Sequence, residues 1–145
     1  MIKEQVVGVL AVIKKGKKFL FVKRSNKLRF EPSKWGFIGE TMKYEESFED
    51  TLKRGLKEEV RMKLTSFNLM NVYSFNFKSQ YNDKHRHAIV IAFLCSAKGK
   101  IKLNNELEDY IWLEIDEAKK LDLINSNKQI IKDIKKWCKL NGKKI

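Results

Sequence analysis

Glu58 and Glu59 are adjacent, Arg54 stands one helical turn before them, and Glu46 lies a little further upstream. Paired acids beside an arginine are the residue types that a hard cation and a phosphate group require. Carboxylate oxygens suit Mg²⁺ or Mn²⁺, and a fixed guanidinium fork suits a carboxylate or phosphate gripped at two points. The chemistry such a set supports is metal-assisted phosphate chemistry. Gly55 directly follows the arginine. Positions 55, 58 and 59 are neighbours on one helix face by i,i+3 and i,i+4 spacing, so three carboxylates could meet there. With glycine at 55, the helix supplies two.

The elements that must position these groups can be read from the same stretch. Trp35 to Leu64 runs WGFIGETMKYEESFEDTLKRGLKEEVRMKL: a short aromatic and glycine-rich strand, a polar loop, then a helix. Ser47 is suited to cap the helix, and Asp50 three residues on completes a capping box with Asp in place of Glu. Phe48, Leu52, Leu56 and Val60 recur at helical spacing and form one apolar stripe. Glu59 falls inside that stripe. A carboxylate on the buried side of an amphipathic helix is costly unless it is paired or holds a cation. Gly55 favours no helix either, costing roughly 0.5–1 kcal/mol relative to Ala.

At these residues the chain resembles the Nudix hydrolase family, whose box reads Gly-x5-Glu-x7-Arg-Glu-U-x-Glu-Glu-x-Gly-U, with U bulky and aliphatic. Glu46, Arg54, Leu56, Glu58, Glu59 and Met62 fall on matching places. Glu40 and Arg61 stand where the family has glycine, and Gly55 stands where it has the glutamate after arginine. Glu45 also replaces a glycine that usually precedes the first box glutamate. The resemblance implies an α/β fold, an α/β/α sandwich with a mixed β-sheet. It implies hydrolysis of the pyrophosphate in a nucleoside diphosphate linked to another group X, dependent on Mg²⁺ or Mn²⁺. Glu58 and Glu59 would hold metal, and Glu106, with Glu108 as the alternative, matches the further carboxylate that some relatives supply from a loop. Arg54 would brace the carboxylates, pairing with Glu46, and Arg24 or Arg29 would contact phosphates. No general base is evident; Glu45, Glu46 or a loop carboxylate could take the role. Gly55 then has two readings, drift to inactivity or an altered chain on one side, a metal site rebuilt from elsewhere on the other. If the site is otherwise preserved, Gly55→Glu is expected to restore the missing carboxylate.

Outside this stretch the chain is read as strands, loops and a last helix. Gln5–Ile13 and Phe19–Val22 are apolar strands around a lysine-rich hairpin turn at Gly16, and Arg24–Ser33 is a loop. Leu64–Phe77 alternates at Tyr73, Phe75 and Phe77, whose aromatics are assigned to the core rather than to base stacking. Lys78–Lys84 has turn chemistry, and His85–Ala97 is a strand buried on both faces. His85 and His87 share one side and are read as a strand edge rather than a metal pair. Ile101–Leu103 is expected as a short strand and Tyr110–Leu113 as another. Asp116 is expected to cap a short helix through Leu121, and Ser126–Leu140 to form a helix with Ile130, Ile131, Ile134 and Trp137 facing the core.

Composition sets the outer bounds. The chain of 145 residues is expected to be one domain spanning 1–145. With 43% hydrophobic and 34% charged residues it belongs among folded rather than disordered chains. There is no apolar run of membrane-spanning length and no signal-peptide character, so the expectation is a cytoplasmic protein without a membrane partner. Cys95 and Cys138 lack metal-ligand spacing and are expected as free thiols. The net charge of +13 favours polyanions, a nucleotide-type small molecule or RNA, through long-range attraction. Lysine filler on a solvated surface is the plainer source of the same charge. A homodimer is expected only by analogy with relatives.

Overall fold

The computed structural model describes residues 2–78 and 84–140. The central helix forms where its capping signals lie: α1 spans Phe48–Glu59, Ser47 Oγ accepts from Asp50 N, and the Asp50 carboxylate accepts from Ser47 N. Thr51, Leu52, Gly55 and Leu56 are its buried positions. The helix stops at Val60, whose N–H donates to Leu56 O, and the next residue, Arg61, turns left-handed at φ 61°. That conformation is the reason a glycine suits this position.

The strands are β1 Ile2–Lys15, β2 Lys18–Arg24, β3 Trp35–Gly36, β4 Ile38–Thr41, β5 Lys63–Lys78, β6 Lys84–Lys98 and β7 Leu107–Leu113. Their order is β3-β2-β1-β6-β5, with β4 also paired to β1 and β7 to β2. β1 and β6 run parallel and the other pairs are antiparallel, so the sheet is mixed. Period-two alternation sends Val9, Ala11 and Ile13 of β1 to one face, under α1 with Leu52, Leu56 and Ile38. Leu10 and Val12 go to the other face, where α3, Asn125–Leu140, lays down Ile130, Ile131 and Ile134. A sheet covered by a helix on each face is the expected α/β/α sandwich.

Several local expectations change. Ile101–Leu103 is not a strand; its chain is held against the end of α1 by Lys102 N donating to Val60 O and Asn104 N to Glu59 O. The short helix α2 is Ile115–Ala118, and Glu114, not Asp116, occupies its cap. Of the three aromatics assigned to the core, Tyr73 is half-buried against the core under α3, its hydroxyl donating to Asp133 at 2.8 Å, whereas Phe75 and Phe77 are half-exposed and belong to neither core cluster. The histidines do not lie on an edge: β6 runs between β1 and β5, and His87 is held by Gln5 at 2.8 Å and Ser74 at 2.7 Å. The middle of the expected Lys78–Lys84 turn lies outside the described residues. Both cysteines are free among the described residues, Cys95 buried in β6.

Candidate active site

Arg54 fixes the loop between β4 and α1. Its Nε donates to Glu46 Oε2 at 2.8 Å, and its Nη2 donates to Glu46 Oε1 at 2.9 Å and to Thr41 O at 2.8 Å. Glu46 also accepts from Lys43 N at 2.7 Å and Thr51 Oγ1 at 3.1 Å. These bonds, Arg54 first, hold the Glu46 carboxyl down at about 2. Arg54 and Glu46 are therefore a clamp, the pairing that the resemblance implies for them. A carboxylate committed to four donors is poorly placed to take a proton from water.

The other carboxylates gather beyond the clamp. Glu59 is half-buried with its Oε2 enclosed, in keeping with its place on the stripe, and burial first, then the charges of Glu40 and Glu106, pushes it up to about 8. Arg24 partly offsets this. Glu40 is also raised, by burial first; Arg54 opposes, while Glu58 and Glu106 add to the rise. Glu40 approaches Arg54 Nη1 at 3.3 Å, and Glu58, more exposed, lies 3.8 Å from the same nitrogen. Glu106 is brought in by its backbone: its carbonyl accepts from Ser25 N at 2.8 Å, and Asn104, two residues earlier, is tied to Glu59 O. Glu108 faces Lys23 instead, at 3.8 Å. Glu45 is exposed, with a left-handed φ of 66°.

Glu40 was missed in the sequence because it entered only as a lost glycine. The structure gives it a different meaning. A Cβ added at Gly55 would lie 2.9 Å from Glu40 Cγ and 3.4 Å from its Cβ. The space beside position 55 is held by the Glu40 side chain, so Gly55→Glu would not simply fill a gap. The one signal available in advance was the coincidence of a glycine-to-glutamate and a glutamate-to-glycine departure in the same motif.

The donor set fits a hard divalent cation. Oε2 of Glu40 and Oε2 of Glu59 are buried with no hydrogen-bond partner, and such oxygens are costly unless a cation or donor satisfies them. Among the described residues, no group of three or more His, Cys, Asp or Glu side chains is placed to hold a metal ion as it stands, so these carboxylates would have to shift to close on one. Beside Glu40 opens a cavity of about 740 Å³, walled by Arg29, Phe30, Phe77, Lys84 and Arg86, with Glu40 itself in the lining. Phe30 and Phe77 meet edge to face at 5.6 Å, and Arg24 Nε donates to Phe30 O at 3.0 Å. Lys84 and Arg86 share Glu4, at 3.1 and 2.6 Å. Of the two arginines singled out, Arg29 lines the cavity, whereas Arg24, the last residue of β2, is outside its lining and acts electrostatically on Glu59.

This architecture has known counterparts. The NUDIX domain model matches residues 3–134. The chain belongs to the Nudix family of pyrophosphohydrolases. Among curated proteins it is similar to an 8-oxo-dGTP diphosphatase of Buchnera aphidicola subsp. Schizaphis graminum, 27% identical over 131 residues, 90% of this chain and 92% of that protein. It is also similar to nucleoside triphosphatase NudI of Klebsiella pneumoniae (strain 342), 27% identical over 101 residues, 63% of this chain and 70% of that protein. Among solved structures, a MutT NUDIX hydrolase from Burkholderia pseudomallei superposes with a TM-score of 0.70 at 22% identity, over 90% of this chain and 98% of that one. The NUDIX domain of Shewanella oneidensis NrtR, solved with ADP ribose, gives 0.69 at 20% identity, over 92% and 88%.

Proposed function

We propose that this chain hydrolyses the pyrophosphate linkage of a nucleoside di- or triphosphate derivative, in a reaction dependent on Mg²⁺ or Mn²⁺. The observation that carries this reading is the junction of a carboxylate cluster, with two unpartnered buried oxygens, and a cavity walled by cations and aromatic rings. In the reaction, a water oxygen bonds to phosphorus while the bridging P–O bond breaks; the leaving oxygen departs with the bond's electron pair, and water gives up a proton. Glu58, Glu59 and Glu106 would hold the cation. When bound, it would supply neutralising charge at the pyrophosphate oxygens and make a water easier to deprotonate. The chain's own side chains do the rest. Arg54 and Glu46 brace the cluster, Arg29, Lys84 and Arg86 hold phosphate oxygens in the cavity, and Phe30 and Phe77 offer a face to the base. Arg24 offsets part of the negative charge around Glu59.

The similar proteins widen the panel to test: one is named for 8-oxo-dGTP, one for nucleoside triphosphates, and one structure holds ADP ribose. The test is turnover of these compounds and of other nucleoside diphosphate derivatives, with Mg²⁺, with Mn²⁺ and with chelator, identifying both products. Metal-dependent cleavage at the pyrophosphate is the expected result. Nucleotide affinity without turnover of any compound would overturn the enzyme reading and leave a binding domain.

A further inference from the structure

Two departures from the family pattern touch each other in this fold. Glu40 lies in β4, on the strand beside β1, where Val9 is its register partner. Gly55 lies on the buried face of α1, packed towards that strand. A side chain at 55 would require the Glu40 side chain to move from its present position, since the added Cβ would stand 2.9 Å from Glu40 Cγ. Backbone conformation does not account for glycine at position 40 in the family pattern, because Glu40 is absent from the left-handed residues, unlike Glu45 and Arg61. Space is the remaining physical reason: glycine at 40 leaves room for a glutamate at 55, and glycine at 55 leaves room for a glutamate at 40.

We propose that Glu40 supplies, from the sheet, the third carboxylate that the helix lacks at Gly55, and that it binds the divalent cation together with Glu58 and Glu59. This rests on the metal-dependent reading of the site given above. Three observations converge on it. The Glu40 side chain crosses the space over Gly55. Its Oε2 is buried without a partner, as is Oε2 of Glu59, while its Oε1 reaches Arg54 at 3.3 Å. Glu40 also lines the 740 Å³ cavity, so it stands between the helix carboxylates and the space available to a substrate. The exchange keeps the number of carboxylates and changes the element that carries one of them. Gly55 is then a requirement of the site rather than a lesion in it.

The experiment compares the parent with Glu40→Gln, Gly55→Glu and the exchanged pair Glu40→Gly with Gly55→Glu. Mn²⁺ affinity is measured by calorimetry, melting temperature with and without Mn²⁺, and turnover on the nucleotide panel. Glu40→Gln should lose on the order of tenfold or more in Mn²⁺ affinity, with its metal-free melting temperature kept. The exchanged pair should bind Mn²⁺ close to parental affinity, and Gly55→Glu alone should gain nothing, because its side chain must displace Glu40. Parental Mn²⁺ affinity in Glu40→Gln would overturn the assignment, as would a folded exchanged pair binding no better than Glu40→Gln. If the pair does not fold, Glu40→Gln decides alone. Turnover in the parent with unchanged Mn²⁺ binding in Glu40→Gln sinks the assignment and leaves the enzyme reading standing. Glu40-dependent Mn²⁺ binding without turnover does the reverse, and a parent that neither binds Mn²⁺ nor turns over ends both.

Discussion

At the scale of single residues, Glu46 and Glu59 show how position on one helix and its loop separates two carboxylates. Glu46 accepts four hydrogen bonds and is held down at about 2; Glu59 is half-buried among like charges and is pushed up to about 8. A carboxyl depressed in the folded state stabilises above its ordinary value and loses that contribution as pH falls through its folded value. The stability lost in Glu46→Gln at neutral pH should therefore shrink as pH falls from about 4.5 towards about 2, where the parent carboxylate also takes up its proton. Paired urea titrations across that window measure it; a constant difference would count against the clamp. Glu59→Gln tests the opposite case. A carboxyl pushed up to about 8 is already largely uncharged at neutral pH, and the amide keeps that state and the shape, so the metal-free fold should survive while Mn²⁺ affinity collapses. Calorimetry showing parental Mn²⁺ binding in this variant would remove Glu59 from the ligand set.

At the scale of elements, α1 was legible because its signals are local: a capping box, a stripe at 3.6-residue spacing, and a carboxylate inside that stripe. Its ending was legible only in part. Arg61 read as a mismatch to the family, and the structure shows what the mismatch costs, a left-handed residue with a side chain at the turn after the helix. Left-handed backbone costs an L-residue about 1–2 kcal/mol, and glycine's greater freedom when unfolded offsets part of any gain. Arg61→Gly should accordingly stabilise the protein by up to about 1 kcal/mol, read as a shift in urea midpoint without a change in slope. The contact between Glu40 and Gly55 was not legible, since it joins a strand to a helix through tertiary packing. Ile101–Leu103 misled for a similar reason. Its apolar residues pack on the core below α1, but its backbone bonds go to the helix end rather than to a neighbouring strand.

At the scale of the whole molecule, the mixed order of strands and helices followed from the apolar runs and the sandwich with its mixed sheet from the resemblance to the family; the cavity followed from neither, because its wall is assembled from β1, the loop after β2, β4, β5 and β6. No helix among the described residues is long and apolar enough to cross a membrane. The surplus of basic residues, +13 overall, should make nucleotide affinity fall as salt rises, with little preference among RNA sequences of equal length. A marked sequence preference at physiological salt would contradict that. Ile38 carries a less obvious consequence. It lies in the core between sheet and helix, with its Cγ2 3.9 Å from where a Gly55 Cβ would stand. Carboxylates mounted on one helix keep their spacing however that helix shifts. Carboxylates divided between β4 and α1 take their spacing from the thickness of the hydrocarbon layer between them, which acts as the jaw setting of a caliper. Ile38→Val costs about 0.5–1.5 kcal/mol of stability, like its counterpart Ile134→Val in the opposite core. Of the two, only Ile38→Val should also change Mn²⁺ affinity, although it touches no charge.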